Sequence, residues 1–185
     1  MELENNQLNM KKKEAYSFFK KFSFPEAIEL LDTIIIEDTK DFMSFFLLGT
    51  SYLHLNNLDL SEKNLKISIQ LNNKHWDSIH NLGVVYQLKN NFTEAMNSYT
   101  NAIKLRPNSL DSLGQLAEVY EQTRFFDKAK QNYENILQID PKNFKANKGM
   151  ARIYFKFGNH KLGTQFLQKS EGLVRFNDKN IEILT

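Results

Sequence analysis

Small residues return at one fixed spacing along almost the whole chain. Five consecutive blocks of 34 residues begin at residues 8, 42, 76, 110 and 144, and the eighth position of each block is alanine or glycine. These residues are Ala15, Gly49, Gly83, Ala117 and Ala151. The twentieth position is equally small, and its residues are Ala27, Ser61, Ala95, Ala129 and Gly163. Because two helices that cross closely need small side chains from both sides, each block predicts a helical hairpin.

An aromatic residue accompanies each pair of small residues, at the eleventh position of the block. These residues are Phe18, Tyr52, Tyr86, Tyr120 and Tyr154. A large flat ring fills the volume beside a close helix crossing. The turns inside three blocks carry Asn56-Asn57, Asn90-Asn91 and Gly158-Asn159, residue types that tolerate a positive φ at a helix end. The five blocks therefore predict repeated helix-turn-helix units, each with two helices of about 12 to 15 residues.

These registers, which are clearest between Trp76 and Ser109, resemble the tetratricopeptide repeat. The resemblance implies an all-α fold, a right-handed α-solenoid of five helix-turn-helix repeats over residues 8–41, 42–75, 76–109, 110–143 and 144–177. Residues 1–7 remain as a polar N-terminal tail, and residues 178–185 as a C-terminal tail or the start of a capping helix. The first and last repeats deviate most, as expected for repeats with a neighbour on one side only.

Composition excludes several classes of function. The chain has no cysteine, so thiolate catalysis and cysteine-based zinc sites are excluded, and its formal net charge of +2 is too small to indicate a nucleic-acid or membrane partner by itself. Neither a secretory signal nor an apolar run long enough for a membrane span is present, which favours a soluble cytoplasmic protein. Glycine-rich phosphate loops, nucleophile elbows and paired carboxylates are absent too, so we expect no enzyme and no cofactor.

The resemblance also implies a binding surface. In this family the first helices of the repeats line a concave groove where partners usually bind. Carried onto this chain residue by residue, the partner-binding groove is lined by Asn9, Lys12, Tyr16, Phe19, Met43, Phe46, Thr50, His54, Asp77, His80, Val84, Gln87, Asp111, Gly114, Glu118, Gln122, Lys145, Lys148, Arg152 and Lys156. We expect an apolar groove in the second repeat. His54 and His80 stand in neighbouring repeats, but scattered surface histidines are far commoner than metal ligands, and no metal site is expected.

The fifth block is the most basic part of the chain. It holds seven lysine and arginine residues against one acid, Glu171, which gives a formal charge of +6. Four of the basic residues, Lys145, Lys148, Arg152 and Lys156, recur at helical spacing and fall on one face. A cationic stripe of this kind favours an acidic peptide, a phosphate group or a carboxylate as its ligand. The alternative is that Glu118 and Glu121 of the preceding block neutralise the stripe.

Three functions follow from these patterns. The first is a protein-interaction scaffold that binds an extended or helical peptide, and the pattern of residues disfavours the clamp with which some family members bind chaperone carboxyl termini. The second is the targeting or regulatory arm of an enzyme supplied by a following domain or partner. The third is polyanion or nucleic-acid binding by the fifth repeat. The apolar residues of the last helix, Phe166, Leu167 and Leu173, further predict an oligomer or a following domain that covers this end.

Overall fold

A computed structural model describes residues 2–171, 174–177 and 180–183, with side chains from residue 6 to residue 170. Within these ranges the chain forms ten helices followed by two short strands. The helices are α1 Glu2–Lys20, α2 Phe24–Glu37, α3 Phe42–His54, α4 Leu58–Leu71, α5 Trp76–Leu88, α6 Phe92–Leu105, α7 Leu110–Gln122, α8 Phe126–Ile139, α9 Phe144–Lys156 and α10 His160–Glu171. The strands are β1 Val174–Asn177 and β2 Asn180–Ile183.

The helices recur with the period of the sequence. Helices α2, α4, α6, α8 and α10 begin 34 residues apart, and so do α3, α5, α7 and α9. Each odd-numbered helix packs against the even-numbered helix that follows it. This arrangement confirms the predicted all-α solenoid of helix-turn-helix repeats.

The turn inside every hairpin has the same backbone geometry, whatever residues occupy it. One residue of each turn has a positive φ between 57° and 75°, and these residues are Phe22, Asn56, Asn90, Arg124 and Gly158. The amide that follows donates to the carbonyl of the aromatic residue five positions earlier, as from Asn57 to Tyr52 at 2.8 Å and from Phe125 to Tyr120 at 2.8 Å. This hydrogen bond is the Schellman bond that ends a helix through a left-handed residue.

The small residues lie where the paired helices meet. All ten of the small residues at the eighth and twentieth positions are buried. A Cβ atom added to Gly83 would lie 2.7 Å from the Tyr99 ring, and one added to Gly49 would lie 2.7 Å from Leu65 Cγ. Such distances are shorter than any real contact, so the close approach of α5 to α6 and of α3 to α4 depends on glycine.

The chain divides into an N-terminal unit of residues 1–105 and a C-terminal unit of residues 106–185. Leu31, Ile34, Leu48 and Leu65 are fully buried in the N-terminal unit. In the C-terminal unit the largest buried side chains are Tyr133, Ile136 and Met150, from α8 and α9. Each unit thus has its own apolar core between successive hairpins.

Both ends of the chain differ from the expectation. Residues 2–7, expected as a polar tail, belong to α1, since no glycine or proline interrupts the run from Glu2 to Lys20. Residues 180–183 form β2 instead of the start of a capping helix, and β2 pairs antiparallel with β1, with Val174 opposite Ile183. Alternation of Ile181 and Ile183 with polar residues is typical of a strand.

The apolar residues of α10 are largely used inside the C-terminal unit. Phe166 stacks on Tyr154 of α9, with the ring centroids 5.4 Å apart and the planes at 13°. Leu162 and Leu167 are partly buried, and Leu173 lies outside the described residues. The oligomer or following domain that was expected to cover this end stays a prediction.

Candidate functional site

A cleft of about 360 Å³ opens in the C-terminal unit between α7, α8 and α9. Its lining comprises Leu110, Asp111, Gly114, Gln115, Glu118, Ile136, Asn143, Phe144 and Lys145. We call it the α7–α9 cleft. Its volume falls in the range of protein sites that bind small ligands or single side chains. Asp111, Gly114, Glu118 and Lys145 come from the face predicted as the groove, so the structure brings these four residues together.

The floor of the α7–α9 cleft is open because Gly114 has no side chain. A Cβ atom at this position would have Ile136 Cδ1 as its nearest neighbour, at 3.9 Å. Gly114 therefore differs from Gly49, Gly83 and Gly149, where a Cβ would collide with the facing helix. Helix α7 needs no glycine here for packing, and the consequence of its presence is empty space above Ile136.

The walls of the cleft carry opposite charges. Asp111 and Glu118 stand seven residues apart on α7 and so share one face of that helix. Lys145 stands opposite on the first turn of α9, beside Phe144, whose ring is 51% exposed. The ammonium group of Lys148 lies 5.4 Å from the centre of the Phe144 ring. A ligand in the cleft thus meets carboxylates on one side and Lys145 with the Phe144 ring on the other, and Lys148 lies next to that ring outside the lining.

In the predicted basic stripe on α9, Arg152 differs from the three lysines. Arg152 donates from Nε and Nη2 to the two carboxylate oxygens of Glu121, at 3.0 and 2.8 Å. Lys156 lies over the Phe126 ring, 4.7 Å from its centre. Unlike Arg152, the lysines Lys145, Lys148 and Lys156 have no acidic side chain within ion-pair distance in the described part of the chain. Glu121 does neutralise one residue of the stripe, whereas Glu118 lines the cleft.

Hydrogen bonding around Arg152 reaches into the core. The hydroxyl of the buried Tyr133 donates to Oε1 of Glu121 at 2.5 Å, and Arg152 Nη2 lies 3.3 Å from the same hydroxyl. Burial, followed by the hydrogen bond to Glu121, raises the pKa of Tyr133 well above its usual value. Hydrogen bonding of Arg152 itself to Glu121 raises the pKa of Arg152. Arg152 therefore serves the packing of α8 against α9.

In the first repeat, Lys12 is engaged within the N-terminal unit. Its ammonium group lies 2.9 Å from Asp38 Oδ2 and 3.0 Å from Asp41 Oδ2, and its hydrogen bond lowers the pKa of Asp38. Tyr16 is 47% exposed, and the ammonium group of Lys20 lies 5.2 Å from its ring centre. Of the two predicted groove residues in α1, Tyr16 is thus the accessible one.

The apolar groove predicted in the second repeat is largely closed. Phe46 is partly buried and meets the His75 ring at 4.7 Å, and Thr50 is buried and accepts a hydrogen bond from Asn81 Nδ2 at 2.9 Å. Met43 is 38% exposed. His54 is exposed but stacks on Phe24, with ring centroids 4.5 Å apart. The sequence could not separate these cases, because the spacing that selects a helix face does not say how closely the next hairpin packs on it.

The predicted residues of the third repeat are half-buried. Asp77 Oδ2 lies 3.8 Å from His75 Nε2. His80 meets the Tyr99 ring at 5.5 Å, and Val84 is partly covered. Across the described ranges, no group of three or more histidine, aspartate or glutamate residues is placed to bind a metal ion. None of the described helices is long and apolar enough to cross a bilayer.

Five residues of the cleft were not among the predicted site residues, namely Leu110, Gln115, Ile136, Asn143 and Phe144. Ile136 belongs to α8, a second helix of a hairpin, and the resemblance places such helices away from the groove. Asn143 caps α9 by accepting a hydrogen bond from the Ala146 amide at 3.1 Å, and Phe144 follows it. The glycine at position 114 is the signal in the sequence that points to these residues, since it leaves the space above them unfilled.

Comparisons with known proteins agree with this architecture. Models of the tetratricopeptide repeat match residues 77–109 and residues 125–170. A crystal structure of MamA superposes with a TM-score of 0.80 at 20% identity, over 85% of this chain and 92% of that one. Residues 41 to the end of MamA from Desulfovibrio magneticus RS-1 give 0.83 at 14% identity, over 90% and 94%. YrrB, described as a TPR protein with an unusual peptide-binding site, gives 0.74 at 15% identity, over 85% and 81%. No curated protein sequence matches this chain.

Proposed function

Because the chain belongs to the tetratricopeptide-repeat family, we propose that it is a non-enzymatic protein-interaction scaffold whose α7–α9 cleft receives an apolar side chain from a peptide segment of its partner. The observation that carries the proposal is the cleft itself, with an uncharged floor at Gly114 and Ile136 between walls of opposite charge. YrrB, a protein of the same fold that is described as having an unusual peptide-binding site, is consistent with the proposal.

The charges on the walls suggest what stands beside the apolar side chain. Asp111 and Glu118 suit a basic residue of the partner, whereas Lys145 and Lys148 suit an acidic one. A segment with an acidic and a basic residue on either side of an apolar one would therefore bind in a single direction. Arg152 contributes little to this charge pattern because Glu121 already satisfies its guanidinium group.

Selection of a random peptide library on the purified protein tests the proposal. We expect the enriched peptides to contain an apolar residue between charges of opposite sign, and to bind at least about tenfold less tightly to the double variant Lys145→Glu, Lys148→Glu. The matched control reverses Lys63 and Lys74, two exposed lysines of the N-terminal unit, and changes the net charge equally. Equal losses in both double variants would mean that only net charge matters, and unchanged binding in both would place the peptide elsewhere.

A further inference from the structure

Two pairs of aromatic rings lie at the turn end of the hairpins in the C-terminal unit. Phe125 meets Tyr120 edge to face, with ring centroids 6.3 Å apart, and Phe126 meets Phe157 in the same way at 5.6 Å. Phe125 and Phe126 are consecutive, so the two pairs start from adjacent residues at the beginning of α8. Phe125 is 51% exposed and Phe157 is 64% exposed. This is aromatic surface that the fold leaves in contact with water.

A lysine ammonium group lies over a ring of each aromatic pair. The ammonium group of Lys128 lies 5.3 Å from the ring centre of Phe125 and 5.6 Å from that of Tyr120. The ammonium group of Lys156 lies 4.7 Å from the ring centre of Phe126. We call this surface the turn-end patch, and it comprises Tyr120, Phe125, Phe126, Lys128, Lys156 and Phe157. None of these residues lines the α7–α9 cleft.

The helix cap at Phe125 lacks the side-chain hydrogen bond that two equivalent turns of the same chain have, as does the cap at Ser23 in the first turn. Asn57 and Asn159 occupy the corresponding position, and each side-chain oxygen accepts a backbone hydrogen bond, from Leu60 at 3.3 Å and from Leu162 at 3.1 Å. Phe125 can accept none, and α8 therefore begins without a side-chain cap. Its ring is half exposed, so burial does not compensate for the lost hydrogen bond.

Two further positions in these turns also carry residues that suit a helix end less well than residues at equivalent positions of the chain. Arg124 has a φ of 64°, where three equivalent turns use the better suited Asn56, Asn90 or Gly158 and the first turn uses Phe22. Phe157 ends α9 with 64% of its side chain exposed, at the position that Thr123 occupies after α7. Residues that weaken a turn and expose apolar surface are typical of binding sites, since stability alone would not select them.

We propose that the turn-end patch binds an acidic protein segment in which carboxylates alternate with apolar side chains. The charges fit, because Lys128 and Lys156 are exposed, Arg124 is exposed in the turn before α8, and Asp127 is the acid between residues 124 and 128. A carboxylate would pair with a lysine whose position the ring below already restricts. The apolar side chains of the segment would pack on the exposed parts of Phe125 and Phe157.

The position of the lysines favours a protein segment over single-stranded nucleic acid. Stacking of a base requires a free ring face. Lysine ammonium groups already lie over the rings of Tyr120, Phe125 and Phe126, at 4.7 to 5.6 Å from their centres. Flexible apolar side chains need only the exposed ring edges and do not have to displace the lysines.

Fluorescence anisotropy with four probes tests the proposal. The probes are a peptide of alternating glutamate and leucine or phenylalanine, the same peptide with lysine in place of glutamate, an oligouridine, and vesicles that contain phosphatidylserine. The test variant is Phe125→Asn, Phe157→Thr, which introduces residues found at equivalent turns of this chain. Its thermal unfolding midpoint should be at least as high as that of the native protein. The control is Leu55→Thr, which removes a side chain that is 47% exposed at the matching position of the N-terminal unit.

We expect the acidic peptide to bind the native protein, and to bind the Phe125→Asn, Phe157→Thr variant at least about tenfold less tightly. Lys128→Glu, which leaves the turn unchanged, should weaken binding of the acidic peptide. Leu55→Thr should not weaken it, and neither should Gly114→Leu, which fills the α7–α9 cleft. Equal affinity for native and variant proteins, preference for the lysine peptide, or binding of oligouridine or vesicles in place of the acidic peptide would each overturn the proposal.

Discussion

Arg152 and Glu121 form a bidentate ion pair, in which Nε donates to Oε2 at 3.0 Å and Nη2 donates to Oε1 at 2.8 Å. The pair joins α9 to the end of α7, and Tyr133 of α8 donates to the same carboxylate. Glu121 is the more covered partner, with 17% of its side chain exposed against 49% for Arg152. Arg152, the arginine of the basic stripe, is therefore a structural residue, and the proposed peptide binding rests on Lys145 and Lys148.

Reversal of the charge at Arg152 should therefore destabilise the protein. Arg152→Glu would place a second carboxylate against Glu121 and remove both hydrogen bonds, and we expect it to lower the free energy of unfolding by about 2 kcal/mol. Lys148→Glu, on the same helix face, should change it by less than about 0.5 kcal/mol. Urea unfolding followed by circular dichroism distinguishes the two, and equal effects would contradict the structural role of Arg152.

Substitution by alanine should change the free energy of unfolding in opposite directions at Gly149 and at Gly114. At Gly149 a Cβ atom would lie 2.3 Å from Cζ of the buried Tyr133, so Gly149→Ala should lower the free energy of unfolding by about 1 to 3 kcal/mol. At Gly114 the nearest atom is 3.9 Å away, and Gly114→Ala should raise the free energy of unfolding by about 0.5 to 1 kcal/mol through helix propensity. Thermal unfolding midpoints that shift in the same direction would argue against the helix spacing described here.

His75 should make the N-terminal unit sensitive to mild acid. Its ring contacts Phe42 and Phe46, its Nδ1 lies 2.7 Å from Ser78 Oγ, and burial lowers its pKa below 6.5, although Asp77 opposes the shift. The unfolded chain therefore takes up a proton more readily than the folded one. This contribution to stability is fully present above a pH of about 6.5 and decreases as the pH falls below it.

Comparison with His75→Asn isolates this effect from the other histidines. Asparagine caps α9 at the equivalent position, Asn143, so the variant should fold. We expect its free energy of unfolding to fall less steeply than that of the native protein between about pH 7 and pH 5. Parallel curves for the two proteins over this interval would show that His75 does not carry the acid sensitivity.

The repeat pattern was sufficient to predict the helices and the crossings, because both depend on residues that are small or aromatic at fixed spacing. Gly83 against Tyr99 and the turn at Asn56 follow directly from that pattern. The strands β1 and β2 did not, since β1 takes the last four residues of the fifth block in place of helix and β2 lies beyond the blocks. Likewise α1 extends to Glu2 because nothing in its sequence stops it.

The candidate site could be predicted only in part. The spacing identified one helix face but could not show that Thr50 is buried or that Arg152 is bound to Glu121, because both depend on contacts with a neighbouring hairpin. The α7–α9 cleft arises from the absence of a side chain at Gly114 above Ile136 on another helix. Such a space is a property of three packed helices and has no pattern of its own in one of them.

Filling the α7–α9 cleft tests the scaffold proposal most directly. Titration calorimetry should compare one selected peptide with the native protein, Gly114→Ala and Gly114→Leu. The alanine variant improves the helix but leaves the cleft open, whereas the leucine side chain would occupy the space above Ile136. We expect affinity to be retained in Gly114→Ala and to fall at least about tenfold in Gly114→Leu, with neither variant less stable than the native protein. Native affinity in a folded Gly114→Leu would contradict binding in this cleft.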